Sequence, residues 1–356
     1  MIVERVALRD FRSYDAAEFT IGPGLTVVHG QNGSGKTNLL EALYFGCTGR
    51  SFRTADEREL VRFGAGALRV VVHGASEDGA HELAIGFAPG EPKRMTSDGA
   101  PVERLTDVGH RPLLAVFSPD RLELVKGGPA LRRAHLDQLV AALWPARTAT
   151  RRAYREALAQ RNALISRVRS GRAGSAALAP WNLALARAGI ELAADRAGAV
   201  ELLAEAFAEH ARELGPLGAV SVVYHRRSAA RTPEELAEEL AGALDADLAR
   251  GHTTRGPHRD DLVLARDGRT LRRYGSQGEQ RLALLALLLA ERDALAAQRT
   301  RAPLLLLDDV MSELDAGRRA RLAGELRRGG QALLTATEPE HVPGWREDDV
   351  RTFALP

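Results

Sequence analysis

Cysteine is almost missing from this chain of 356 residues. The one thiol, Cys47, excludes an internal disulfide and fits a reducing cytoplasm. Lysine is nearly as scarce: Lys36, Lys93 and Lys126 stand among 49 basic residues, and all the others are arginine. Aromatic residues make up 5% of the chain, too few for base stacking to be its main way of holding a nucleic acid. The formal net charge is only +2, so a nucleic-acid partner must be argued from clustering rather than from overall charge. No apolar run reaches the roughly 18 residues of a membrane span, and Leu282 to Ala290 falls well short. The amino-terminal segment carries Glu4, Arg5, Arg9 and Asp10 and no apolar stretch of signal-peptide type, so a cytoplasmic protein without a membrane partner is expected. With 45% hydrophobic residues, one or two domains with a substantial core are expected.

Against this background one stretch stands out. Gly30-Gln31-Asn32-Gly33-Ser34-Gly35-Lys36-Thr37 fits the phosphate-binding pattern G-x-x-x-x-G-K-[ST]. An apolar strand, Leu25 to Val28, leads into it, and a helix opening at Asn38 leads out. The successive backbone N–H groups of such a loop form an anion nest, and the helix start adds its positive dipole end. Residues Gly30 to Asn38 are therefore expected to bind nucleotide phosphates. Lys36 would reach the β- and γ-phosphates, and the Thr37 hydroxyl would bind Mg²⁺. In an arginine-biased chain, a lysine at this point suggests a need for a slim point charge that a planar guanidinium does not supply.

The rest of the chain reads as α/β. Ile2 to Phe11 alternates as a strand, and residues 68–98 carry turn-separated antiparallel strands. Leu113 to Phe117 is a buried strand that Ser118-Pro119-Asp120 ends. Residues 131–170 read as a helix that Pro145 must kink or break, and residues 180–214 as a second helix completing a hairpin arm. Thr232-Pro233-Glu234-Glu235 starts a helix expected to run to about Arg250. Asp267-Gly268 marks a hairpin turn. Leu282 to Ala297, Glu313 to Arg328 and Gln331 to Thr335 read as helix, helix and strand.

Leu304 to Leu307 followed by Asp308-Asp309 has the form of a Walker B strand. Asp308 at the phosphate edge would hold Mg²⁺ together with Thr37, and Asp309 is placed to activate the attacking water. The long insertion between the two elements argues against a compact P-loop kinase or a small GTPase. Before the Walker B strand, Ser276-Gln277-Gly278-Glu279-Gln280 opens a helix and resembles the signature motif of ABC-type ATPases. In that family, the corresponding Ser hydroxyl and Gly N–H cap the γ-phosphate bound to the opposite subunit, which nominates Ser276 and Gly278. Met311-Ser312-Glu313-Leu314-Asp315 resembles the D-loop of the same family. Departures at Gln277, Glu279 and Asp309, and Thr335-Ala336-Thr337 in the place of the switch histidine, point away from transporter subunits.

The full set of motifs also includes Phe11-Arg12-Ser13-Tyr14, Gly49-Arg50-Ser51-Phe52-Arg53-Thr54, Phe117-Ser118-Pro119-Asp120 and Arg255-Gly256-Pro257-His258-Arg259-Asp260-Asp261. Together they resemble the RecF family of recombination mediators over essentially the whole length. That resemblance implies an ABC-type head like those of SMC proteins, with a mixed central sheet, flanking helices and an antiparallel β subdomain, interrupted by a helical arm. The expected division is head 1–125, arm 126–218 and head 219–356. It implies ATP-driven homodimerisation, binding of gapped or junction DNA, slow hydrolysis coupled to release, and cooperation with RecR and RecO in loading RecA. The expected catalytic set is Lys36, Asp308, Asp309 and, from the second subunit, Ser276. Candidate DNA contacts are the arm arginines, among them Arg132, Arg133, Arg147, Arg151, Arg152, Arg155, Arg161, Arg167, Arg169 and Arg172, with Arg50 or Arg53 near nucleotide or DNA. The competing possibilities are a transporter ATPase, a small-metabolite kinase, another SMC-like repair ATPase, and a DNA-binding protein with a vestigial nucleotide site.

Overall fold

The computed structural model describes every residue except Pro216, Thr300 and Glu313, and the side chain of Asp120 is also left aside. Glu313 of the D-loop segment thus lies outside the described residues, as does Pro216 near the expected end of the arm.

The chain begins with strands β1 (Ile2–Phe11), β2 (Tyr14–Thr20) and β3 (Leu25–His29), then helix α1 (Lys36–Thr48). Next come β4 (Leu68–Ser76), β5 (Gly79–Phe87), β6 (Arg94–Ser97), β7 (Ala100–Pro101) and β8 (Leu114–Phe117). The middle holds α2 (Glu123–Lys126), α3 (Pro129–Leu143), α4 (Thr148–Arg169), α5 (Ala179–Leu214), β9 (Val220–His225), α6 (Pro233–Gly242) and α7 (Leu244–Arg250). It continues through β10 (Asp261–Arg266), β11 (Arg269–Thr270), α8 (Leu271–Tyr274) and α9 (Gln277–Arg299). The chain closes with β12 (Leu304–Leu307), α10 (Ala316–Arg328), β13 (Ala332–Ala336) and β14 (Arg351–Ala354). The fold is mixed α/β, and it packs as two compact units, one made of Met1–Arg121 with Arg299–Pro356 and the other of Leu122–Gln298.

The first unit holds two sheets. One is antiparallel, in the order β2-β1-β4-β5-β6-β7; the other is parallel, in the order β14-β3-β13-β12-β8. All four leucines of β12 are buried, as an interior parallel strand requires. Helix α1 packs against β1, β4 and β5 and also against β13, which is why it is apolar around most of its circumference: Leu39, Leu40, Leu43 and Phe45 are all fully buried. Gln331 ties the two sheets together. Its amide accepts the Val3 N–H at 2.9 Å and donates to the Val3 and Gly22 carbonyls at 2.5 and 2.7 Å.

In the second unit, α4 packs along the 36-residue α5, and α5 also meets α3, α6 and β9. The helix expected over 131–170 is two helices. Trp144 leaves helical geometry, and Pro145 opens a single 3-10 turn before α4. The helix expected from Thr232 to Arg250 also divides, at Ala243, after a complete capping box between Thr232 and Glu235. Helix α10 begins at Ala316, capped by the Asp315 carboxylate on the Arg318 N–H, later than the sequence suggested. By packing, residues 219–298 group with the arm, whereas the sequence suggested placing them with the head. The reason is local: β9 packs on α5, and β10 packs on α3 and pairs with β9.

Candidate nucleotide site

The P-loop leaves the carboxyl end of β3, and β13 and then β12 lie beside that strand. The parallel order therefore brings the ends of the P-loop strand and the acidic strand together with one strand between them. Gly30 has φ 154°, and a Cβ there would meet the Leu355 carbonyl oxygen at 2.6 Å. The chain passes too close at this point for any other residue. Gly35 has φ 99°, and its missing Cβ leaves room for the Tyr14 hydroxyl, 2.9 Å from where that atom would stand. The Tyr14 hydroxyl donates to the Gly35 carbonyl at 3.0 Å, and burial pushes its pKa up to about 12. Gln31, Asn32 and Gly33 are exposed at the loop tip, while the Ser34 hydroxyl is buried without a hydrogen-bond partner. A buried unpaired hydroxyl in a loop of left-handed glycines is suited to an incoming phosphate oxygen.

Lys36 curls back over the loop, donating to the Gly30 carbonyl at 2.6 Å and the Gln31 carbonyl at 2.9 Å. Burial lowers its pKa, and the nearby carboxylates of Asp309 and Asp308 oppose that shift. The Thr37 hydroxyl lies 3.0 and 2.8 Å from the two Asp308 oxygens. This hydroxyl–carboxylate pair is a hard oxygen set of the kind Mg²⁺ takes together with water. Asn38 donates to the Ser13 hydroxyl at 2.9 Å and accepts from Arg53 at 3.1 Å.

One member of the site was missed in the sequence. Thr335, at the end of β13, is fully buried between the two acids. Its hydroxyl donates to Asp308 at 2.8 Å and accepts the Asp309 N–H at 2.9 Å. That N–H belongs to a residue with φ 48°, a conformation that costs a non-glycine residue about 1–3 kcal/mol, so Thr335 holds a strained turn in place. The available signal was its place where ABC-type proteins carry the switch histidine. Thr335→Val removes the hydroxyl that accepts the Asp309 N–H and donates to Asp308. It is expected to lower stability by about 1–3 kcal/mol in urea unfolding and to slow hydrolysis as well. An unchanged unfolding midpoint would remove Thr335 from this role.

Arg53 lies near the loop and is engaged there by protein partners. It pairs with the fully buried Glu41 at 3.2 Å. Glu41 also receives Arg12 through two hydrogen bonds of 2.9 Å and the Ser51 hydroxyl at 2.6 Å. This cluster braces the helix that follows the P-loop.

Ser276 and Gly278 belong to the other compact unit, where they start α9. The Ser276 N–H donates to the Glu279 carboxylate at 2.8 Å, and the Glu279 N–H donates to the Ser276 hydroxyl at 3.3 Å, the reciprocal pattern of a capping box. Glu279 also bonds Arg266. The Ser276 amide, and secondarily Arg266, hold its carboxyl below the usual range. Glu279 is thus turned back on its own helix start, and Ser276, Gln277 and Gly278 are left exposed.

Several arm arginines are already engaged. Arg132 and Arg161 are buried and bound to Asp261 and Asp247, and Arg147 and Arg151 reach Asp195 and Asp137. These four do not form the free basic face that their spacing suggested. Arg152 pairs only with its helix neighbour Glu156, whereas Arg155, Arg167, Arg169 and Arg172 are exposed with no ion pair among the described residues.

Residues 5–87 match the AAA domain family. The chain is 42% identical over 345 residues to the DNA replication and repair protein RecF of Anaeromyxobacter sp. strain Fw109-5, covering 94% of this chain and 91% of the relative. It is 38% identical to the protein of the same description from Frankia alni, over 96% of this chain and 95% of that one. Among solved structures, it resembles the recombination mediator protein RecF with ATP, of the RecFOR pathway, with TM-score 0.87, 28% identity, and 99% and 95% coverage. An Smc head bound to the C-winged helix domain of ScpA matches with TM-score 0.58 at 17% identity, a likeness of fold alone. No helix among the described residues is long and apolar enough to cross a membrane.

Proposed function

The chain belongs to the RecF family of DNA replication and repair proteins, ATPases of AAA/ABC type, and from that premise we propose that it is an ATP-driven DNA clamp of recombinational repair. The observation that carries the nucleotide part is the direct meeting of Thr37 and Asp308 at 2.8–3.0 Å, which joins the two halves of a Walker site from opposite ends of the sequence. The P-loop amides and Lys36 would bind the ATP phosphates. Thr37 and Asp308 would hold Mg²⁺, which, when bound, offsets phosphate charge during hydrolysis. Asp309 is the candidate for orienting the attacking water, and Thr335 fixes both acids.

In this proposal the head comprises residues 1–125 and 219–356, and the arm 126–218. Ser276 and Gly278 act on the γ-phosphate held by a second copy, for which their exposure on a capped helix start is suitable. ATP thereby closes two copies around DNA, and slow, DNA-stimulated hydrolysis opens them. RecR, RecO and RecA are the proposed partners, in keeping with the RecFOR pathway named for the structural relative. The test is mass and DNA affinity with ATP, with ADP, and in Ser276→Arg. ATP, but not ADP, is expected to give a dimer with tighter DNA binding, and Ser276→Arg to remain monomeric. A monomer with unchanged DNA affinity in ATP would refute the clamp.

A further inference from the structure

The loop Arg255 to Asp261 in the second unit is held more tightly than its surface position requires. Its polar groups point inward and are satisfied, with two exceptions. His258 accepts from the Tyr154 hydroxyl at 2.7 Å through Nδ1 and meets the Thr253 carbonyl at 2.9 Å through Nε2. The Pro257 carbonyl accepts from the buried Arg196 at 2.9 Å. Asp260 accepts from the Tyr224 hydroxyl at 2.5 Å and the Arg227 N–H at 2.8 Å, while Asp261 takes Arg132 in a two-pronged pair of 2.7 and 2.9 Å. Gly256, at φ 118°, permits the turn, since a Cβ there would strike the Tyr154 hydroxyl. The exceptions are Arg255 and Arg259. Both are exposed, they flank the one turn closed by the Arg259 N–H on the Gly256 carbonyl, and among the described residues neither side chain makes a hydrogen bond or ion pair.

The charge around this turn does not balance internally. Arg132, Arg133 and Arg196 lie beneath it, and the carboxylates nearby are already engaged: Asp137 with Arg196 and Arg151, Asp261 with Arg132, and Asp260 with Tyr224 and Arg227. Arg133 is left with the Asp260 backbone carbonyl at 2.8 Å. Burial is the main cause that depresses its pKa; Arg196 and Arg259 add to the shift, and Asp261 and Asp260 oppose it. A rigid turn presenting two unpaired guanidinium groups, over arginines whose charge Asp137, Asp260 and Asp261 already answer, carries surplus positive charge at its surface and suits an external anion with repeated charges.

We propose that Arg255 and Arg259 form a preorganised site for two backbone phosphates of DNA, with the buried Tyr154–His258 contact fixing the turn between them. The proposal rests on the DNA-binding reading above and adds the place of contact. Because the turn is ordered in advance, the two arginines lose little conformational freedom on binding.

The test measures affinity for a labelled duplex with a single-stranded tail over a range of salt, with ATP present. Arg255→Gln/Arg259→Gln is expected to weaken binding at least ~10-fold and to lower the slope of log K against log salt by about 2, since each lost phosphate contact removes about 0.9. Arg255→Lys/Arg259→Lys is expected to keep the wild-type slope. Thermal midpoint and DNA-free ATP turnover are expected to stay at wild-type values in both variants, because neither residue is buried or near the P-loop in sequence. A glutamine variant with wild-type affinity and slope overturns the proposal while leaving DNA binding intact. A wild-type protein that fails to bind the oligonucleotide overturns the DNA-binding reading and this site with it.

Discussion

Lys36→Met is expected to reduce ATP hydrolysis, followed as phosphate release, by at least ~10²-fold, the scale of removing one preorganised charge from a transition state. The side chain already sits over the loop, held by the Gly30 and Gln31 carbonyls. A bound γ-phosphate would replace those two acceptors with a stronger, charged one. Partial desolvation, which lowers the Lys36 pKa, also strengthens any interaction that the ammonium makes there. The residue has a second role. Its charge lies near Asp308 and Asp309, so methionine also leaves two neighbouring carboxylates less compensated. Lys36→Arg is expected to fail as well, because a planar fork does not reproduce the point charge on which the Gly30 and Gln31 carbonyls converge. Turnover at the wild-type rate in Lys36→Met would mean that the measured hydrolysis belongs to another site.

The largest effect on stability is expected at Arg161, in the second unit. This guanidinium is completely buried and makes hydrogen bonds to Asn182 at 2.8 Å, Asp247 at 2.7 Å, Thr253 at 2.8 Å and the Leu240 carbonyl at 3.1 Å. Arg161→Met keeps much of the volume and strands the Asp247 carboxylate, which is also completely buried. The expected loss is about 3–5 kcal/mol, the usual result of leaving one buried charge without its partner. The double variant Arg161→Met/Asp247→Asn is expected to recover part of that loss, because the stranded charge has then gone. Denaturant unfolding of the four proteins in this cycle measures the coupling. Simple additivity of the two single changes would show that the pair is not the source of the effect.

Arg161 also shows where a sequence stops being legible. In the chain it is one of many arginines at helical spacing, and nothing local separates it from Arg155 or Arg167, which are exposed. Its carboxylate partner lies 86 positions away, across a connection that no periodicity records. The P-loop and the acidic end of β12 were legible because each is specified by adjacent residues whose chemistry demands that order. Their meeting was legible from the Walker B form itself, which, once a P-loop is present, sets Asp308 at the phosphate edge beside Thr37. Thr335 carried only its place in the switch-histidine segment, because a threonine at the end of an apolar strand is otherwise an ordinary β residue until the neighbouring strand places two aspartates beside it. Glu279 falls between these cases. An acid three positions after Ser276 is a helix-capping pattern, and the capping chemistry, rather than contact with phosphate, is what the structure uses.

The order of strands in the parallel sheet also has a consequence for synthesis. Strand β3 is made before the whole of the second unit, yet its neighbours β13 and β14 are made after it. The strand that feeds the P-loop therefore emerges from the ribosome without either partner and must wait until Ala332–Ala336 has been translated. The second compact unit is a single continuous segment, Leu122–Gln298, and has all of its own contacts available well before that moment. Non-local pairing of this kind is slow to form and leaves apolar strand edges exposed in the interval. The nucleotide site thus cannot be completed before Ala332–Ala336 has been made, and a nascent chain is unable to close around ATP until that point.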